Sequence, residues 1–316
     1  MNMNLPALLS EVNLPGLIGG SIMSVASTYV GLRLGIRKAI KEKSADMLYQ
    51  MIDTDNPNFP PLELAKCKNI IDIAKLAQTY RKFSEDKKIE FSFEWFDRFF
   101  DAASMVSDDE MKIIWAKILS DEADDKGKYS FRFIESMKLL SQSEAKIFAK
   151  LSRLVLTEPD GNLYVYAPSD SQLEIYESYG INDFDFLLME ECGLINMGVT
   201  QNHDIELDVD SCNGFYNGDL FVRFYSETLS DEMVFKFESY PLTRFGQQVY
   251  HLIEDTSCKE FVLKLANNIR ISLEEDLIVA VHPILEFQET EVTVDTDIDL
   301  LEKNEPQTGL TNRSIL

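Results

Sequence analysis

At 316 residues the chain is too long for one small core and suits two domains, and its hydrophobic share of 45% is ordinary for a globular protein. Its formal net charge of -24 is not ordinary: residues 1–90 hold 12 Lys and Arg against 10 Asp and Glu, and the remainder holds 18 against 44. Nucleic-acid affinity comes largely from counterions released to Lys and Arg, so a surface this acidic argues against nucleic acid as a partner.

The cysteines Cys67, Cys192, Cys212 and Cys258 are scattered and match neither a disulfide framework nor a usual zinc spacing. Reduced thiols in the cytoplasm are the expectation. The start, Met-Asn-Met-Asn-Leu-Pro, lacks a basic region before the apolar run, so a secretory signal is not expected.

Val12 to Leu32 is free of charge and is followed by Arg33, Arg37, Lys38, Lys41 and Lys43. Length and flank fit a membrane span. Asn13, Pro15, the glycines and several hydroxyls dilute its hydrophobicity, leaving open a buried or self-associating helix and a helix lying in the membrane surface. Gly16 and Gly20, then Ser27, Gly31 and Gly35, recur every four residues, a spacing that lets helices approach closely. The candidate site for membrane contact or self-association is therefore Gly16, Gly20, Gly31, Arg33, Arg37 and Lys38.

Ile36 to Ile52 is amphipathic, Asp53 to Pro61 is a proline-rich connection, and Leu62 to Phe83 reads as a helix with Ile70, Ile71, Ile73, Ala74 and Ala77 on its apolar face. From Trp95 to Leu156 the local signals agree. Trp95, Phe96, Phe99 and Phe100 fall at helical spacing, and Ser107-Asp-Asp-Glu110 reads as a capping box opening a helix with Met111, Ile114, Trp115, Ile118 and Leu119 on one stripe. Ser130 then precedes a helix bearing Phe133, Ile134 and Met137, and Ser141-Gln-Ser-Glu144 opens another.

After Thr157 the periodicity changes. Glu158-Pro-Asp-Gly161 is a turn and Leu163, Val165 and Ala167 alternate as a strand. Asn182 caps a helix with Phe184, Phe186, Leu187, Leu188 and Met189, ended by Gly193. Strands follow around Ile205, Leu220 to Phe224 and Val234 to Phe237, with Asn213-Gly214 and Asn217-Gly218 as turn signals. Leu242-Thr243 opens a helix containing Gly246, and a further helix (259–269) and strand (277–287) complete this part. The arrangement resembles a winged helix. The expected fold is α+β, mainly α: an N-terminal helical bundle followed by a winged-helix-like α+β domain. Its divisions are residues 1–55 (a Gly-rich and amphipathic helical segment), 62–157 (the bundle), 158–287 (the winged-helix-like domain) and 288–316 (a flexible acidic tail).

Chemistry is sparse. No phosphate loop, zinc helix or nucleophile elbow stands in the sequence, and the histidines are His203, His251 and His282. Cys192, His203 and Cys212 match no standard metal spacing. Asp108, Asp109 and Glu110 read as helix-start carboxylates, and Asp121, Glu122, Asp124 and Asp125 as a solvated loop rather than a calcium site. Arg132 and Arg153 read as partners of neighbouring carboxylates rather than an anion clamp. No catalytic residue, cofactor or metal site is assigned.

Arg98-Phe-Phe-Asp-Ala-Ala103, Ser107-Asp-Asp-Glu110, Trp115-Ala-Lys-Ile-Leu119, Glu122, Gly127, Ser130-Phe-Arg132 and Leu140-Ser-Gln-Ser-Glu-Ala-Lys-Ile-Phe148 together resemble an uncharacterised bacterial family, that of domain of unknown function 2806. The resemblance extends to Leu187–Ile253. More distantly, the middle of the block is similar to the abortive-infection alpha family, which implies a part in defence against phage. Neither resemblance supplies catalytic residues. The expected function is that of a non-enzymatic bacterial interaction protein, a phage-defence or stress factor acting through self-association or membrane contact. The alternatives are a winged-helix DNA-binding regulator and an enzyme using scattered carboxylates. Expected partners are a second copy or another protein, with a membrane surface as a further contact. The expected location is the cytoplasm, extending to the periphery of the inner membrane.

Overall fold

A computed structural model describes residues 21–34, 60–82, 92–167, 170–198, 201–206, 213–226, 234–272, 278–288 and 291–301. The chain divides into two compact units, residues 1–142 and 143–316.

Among the described residues the first unit holds α1 (Ile22–Arg33), α2 (Pro61–Tyr80), α3 (Phe93–Ala103), α4 (Asp109–Asp124) and α5 (Phe131–Leu139). Pro61, read from the sequence as part of a connection, is the first residue of α2, where its missing N–H costs nothing. Leu64, Cys67, Ile70, Ile71, Ile73, Ala74 and Ala77 bury the stripe that the spacing predicts, and α2 packs on both α1 and α4. The aromatic run on α3 is core, as expected. Trp95 stacks on Phe99, Phe99 meets Trp115 edge to face with centroids 5.4 Å apart, and the Trp95 indole donates to the Tyr129 carbonyl at 2.8 Å.

Two local expectations need correcting. The cap of α4 is Asp108, not Ser107: its carboxylate accepts the Met111 N–H at 3.0 Å. Either residue type caps well, and the charge adds attraction to the helix N-terminus. The acidic run from Asp121 is not a solvated loop but the last turn of α4 and its anchor. Glu122 is buried and accepts the N–H groups of Gly127 and Tyr129 at 2.7 and 3.0 Å, clamping the turn made by Gly127 at φ 91°. Asp124 pairs with Arg81 at 3.2 Å and accepts the Lys82 N–H at 2.9 Å. Ser130 caps α5 as expected, accepting from Phe133 N–H.

Burial raises the Glu122 carboxyl above the ordinary carboxylate range, although the N–H groups of Tyr129 and Gly127 favour the charged form. A carboxyl raised in the fold contributes stability that is fully present below its unfolded value and is lost as pH rises through its folded value. The gap in unfolding free energy between wild type and Glu122→Gln is therefore expected to widen as pH falls from neutral toward the ordinary carboxylate range. Urea unfolding at a series of pH values measures it, and a gap that stays constant or narrows contradicts the assignment.

The second unit takes most of α6 (Gln142–Ser152), then β1 (Leu156–Thr157), β2 (Leu163–Tyr166), α7 (Asp170–Glu177), α8 (Asp183–Glu191), β3 (Gln201–Glu206), β4 (Gly214–Asn217), β5 (Leu220–Tyr225), β6 (Val234–Pro241), α9 (Arg244–Tyr250), α10 (Lys259–Ser272), β7 (Ile278–Gln288) and β8 (Glu291–Val294). Among the described residues seven strands form an antiparallel sheet in the order β3-β6-β2-β1-β4-β5-β7, and β8 adds to the outer side of β7. The chain is therefore α+β.

The turn at Gly161 (φ 89°) forms as read, the Gly161 N–H donating to the Glu158 carbonyl at 2.8 Å. All four residues of β2 are buried, so the alternation read there does not separate a wet face from a dry one. Tyr164 lies against Phe215 and Phe237, while Tyr176 of α7 donates to the Tyr166 carbonyl at 2.9 Å. Asn217-Gly218 is a turn as read, with Gly218 at φ 61° between Asn217 and its partner Leu220. Asn213-Gly214 is not, because Gly214 begins β4 and a Cβ there would stand 1.8 Å from the Val222 carbonyl oxygen. The buried Asn217 amide donates to the carbonyls of Arg153 and Val155 and accepts the Cys258 N–H at 2.8 Å, tying the β4–β5 turn to the approaches of β1 and α10.

The beginning of the acidic tail is structured rather than flexible. β8 pairs with β7, Asp299 accepts the Val281 and Leu301 N–H groups, and Leu301 is buried. Residues 302–316 lie outside the described residues.

Candidate functional site

Of the six residues proposed for membrane contact or self-association, Gly16, Gly20, Arg37 and Lys38 lie outside the described residues, so only Gly31 and Arg33 can be placed. Both belong to α1, which is built into the first unit. Ile22, Val25, Ala26, Ser27, Thr28, Val30 and Gly31 are buried, and Tyr29 stacks on Phe100 with centroids 5.1 Å apart. The Tyr29 phenol donates to Asp97 at 3.3 Å; burial first, then the Asp97 charge, holds it well above its usual range. Arg33 Nε pairs with Glu63 at 3.1 Å, and its guanidinium lies 3.9 Å from Asp101. Among the described residues no helix is long and apolar enough to cross a membrane.

Among the described residues the candidate chemical groups do not converge. Cys67 is buried on α2, its thiol pushed up to about 12 by burial. Cys192 follows α8, its thiol pushed up to about 11 by burial and then by Glu144. His203 belongs to β3 and Cys212 lies outside the described residues. Buried His282 holds the Ile298 carbonyl at 2.8 Å. Arg153 pairs with Asp255 at 3.2 Å on the surface, and Arg98 sits over the Phe131 ring, 4.8 Å from its centroid. Among the described residues no group of three or more His, Cys, Asp and Glu side chains could hold a metal ion.

The surface with most character is α8. Asn182 caps it by accepting the Phe184 and Asp185 N–H groups, and the Asp185 carboxylate in turn accepts the Asn182 N–H at 2.9 Å. Gly193 at φ 71° ends it. The following turn is locked onto the start of α9. Thr243 N–H donates to the Leu194 carbonyl, its hydroxyl donates to the Gly193 carbonyl and accepts the Gly246 N–H at 3.0 Å, and Ile195 bridges Leu242. Gly246 is required there, since a Cβ would stand 1.9 Å from the Leu194 carbonyl oxygen.

Held in this way, α8 buries Phe186 and Met189 and turns Phe184 and Leu187 outward, 80% and 49% exposed. Asp183 and Glu191 are exposed beside them, and Glu190 accepts the Met197 and Gly198 N–H groups at 2.9 and 3.0 Å. Burial, then the charges of Glu238, Asp183 and Glu190, raises the Tyr240 phenol, and the Tyr240 ring meets Phe186 of α8 with centroids 6.4 Å apart. Reading Phe184 and Leu187 merely as helix-forming apolar residues misses the surface. The available signal is the number of apolar residues: five among residues 184–189 exceed what one face of a helix can bury.

A family described as "Protein of unknown function (DUF2806)" matches residues 61–266. The chain belongs to that family. The match runs from the start of α2 into α10 and so includes α8 and its lock onto α9, whereas α1, β7 and β8 lie outside it. Neither the curated proteins nor the solved structures give a significant match to the chain.

Proposed function

We propose that the chain is a non-enzymatic interaction protein, with a helical bundle in its first unit and, in its second, a winged-helix-like module that recognises polypeptide rather than DNA. The winged-helix reading is supported by connectivity. α6 leads through the two-residue β1 to β2, then α7 and α8, then β3 and β6, with β6 paired to both β2 and β3, while the β4–β5 hairpin is inserted between β3 and β6. In that scheme α8 occupies the place of the helix that enters the major groove.

The observation that carries the reading is what α8 presents there: Asp183, Phe184, Leu187 and Glu191, with no Lys or Arg anywhere on the helix. Carboxylates facing a phosphate backbone cost affinity, and an exposed phenylalanine suits a protein surface. The resemblance to the abortive-infection alpha family supports phage defence as the setting. Self-association or lipid contact through the start of the chain belongs to the same reading. Because Gly31 is buried and Arg33 is paired, that contact would rest on the residues flanking α1.

The full chain is expected to give no salt-sensitive micromolar shift of duplex DNA in a gel, whereas a DNA-binding regulator would. Sedimentation of the full chain beside a version lacking residues 1–20, which keeps α1, tests the assembly. Identical monomeric sedimentation of the two, together with a DNA shift, would replace the interaction reading with the regulator.

A further inference from the structure

The exposed face of α8 is specific enough to name the chemistry of its partner, an inference that rests on the interaction reading above. Phe184 and Leu187 are three residues apart and project together, so they form one apolar contact rather than two isolated side chains. Carboxylates border it on more than one side. Asp183 and Glu191 stand at the two ends of the same helix, while exposed Glu238 stands on β6 two residues from Tyr240, whose ring meets Phe186 of α8 with centroids 6.4 Å apart. The cation Lys236 stands two residues from Glu238 on the same side of β6, opposite Asp204 in the strand register.

We infer that this face docks an amphipathic segment of a partner protein that carries Lys or Arg beside its apolar side chains. The apolar pair supplies area to be covered, and the carboxylate border decides what can cover it. A second copy of the same face would set Asp183 and Glu191 against identical carboxylates, because a twofold contact pairs a surface with itself. Anionic headgroups and phosphodiesters meet the same repulsion. A cationic amphipathic polypeptide relieves it, and opposite charges also speed the encounter.

The test is fluorescence anisotropy of the full chain with a labelled amphipathic Leu/Lys peptide and with its Leu/Glu counterpart. The Leu/Lys peptide is expected to bind and the Leu/Glu peptide is not. Combining Phe184→Ser with Leu187→Ser is expected to weaken binding about tenfold or more, the loss typical of central apolar anchors. Combining Glu191→Gln with Glu238→Gln is expected to weaken binding and flatten its dependence on salt. Leu139→Ser, at an 82% exposed position of the first unit, should leave binding unchanged. Because both altered apolar side chains point outward, thermal melts of the double variant should match wild type.

Equal binding by wild type and the Phe184/Leu187 variant would reduce the effect to general attraction by an acidic protein and overturn the assignment. Equal binding of the two peptides would remove the role of charge and overturn it as well. Neutral phosphatidylcholine vesicles captured by wild type but not by that variant would give the face to lipid instead. If the Leu/Lys peptide does not bind, the partner chemistry named here is wrong, whereas the broader interaction reading stands or falls on sedimentation and the DNA gel.

Discussion

Gly246→Ala is expected to destabilise the second unit by about 3 kcal/mol, the upper end of what overpacking costs. The sign is the informative part. In an ordinary helix the same change stabilises by about 1 kcal/mol, because glycine has more backbone freedom to lose. Here the added carbon would stand 1.9 Å from the Leu194 carbonyl oxygen, and the obstacle is backbone. That backbone cannot step aside cheaply: Leu194 also accepts the Thr243 N–H at 3.0 Å, and neighbouring Ile195 bridges Leu242. Gly161→Ala is the comparison. At φ 89° it strains the backbone, but the new Cβ meets nothing within 4 Å, so about 1 to 2 kcal/mol is expected. Chemical denaturation of the two variants ranks them, and a Gly246→Ala protein as stable as wild type would remove the lock between the α8 turn and α9.

Trp115→Ala is expected to cost about 3 to 5 kcal/mol and to unfold or severely loosen the first unit. Its side chain is 1% exposed and meets the ring of Phe99, which in turn stacks on Trp95, so truncation opens a cavity beside an aromatic cluster. Asp109→Ala, six residues earlier on the same helix, is expected to cost about 0.3 to 1 kcal/mol. The Asp109 side chain is 96% exposed, and Lys112, its i,i+3 ion-pair partner, stands 3.8 Å away. Asp108, which does cap the helix, is untouched by that change. Thermal melts should separate the two variants widely, and coincident melts would contradict the division between core and surface on α4.

The candidate surface was only half legible. Cap, length and end of α8 follow from Asn182, the apolar run and Gly193, all of which act on their own neighbours. Which of the apolar residues face outward depends on the elements packed against the helix, and those come from elsewhere in the chain. Phe186, for example, is covered in part by Tyr176 and Tyr240, ten residues before it and more than fifty after it. Glu122 is a parallel case. Its place beside three other acidic residues suggests water, yet the fold directs it inward because two N–H groups of the Gly127 turn need an acceptor.

What the sequence by itself determined was local. The stripe of α2, the aromatic face of α3, the caps at Ser130, Asn182 and Thr243 and the turns at Gly161 and Gly218 all hold, because spacing, capping and positive φ are settled within a few residues. Membership of the family was legible for a similar reason, since its motif lies in continuous stretches. The tertiary structure alone decided that β6 runs between β2 and β3, that β2 is buried on both faces, that residues 291–301 return to the sheet and that Phe184 and Leu187 are left uncovered. Strand order and exposure are properties of pairs distant in sequence, and apolar periodicity says that a side chain can be buried without saying which partner will bury it.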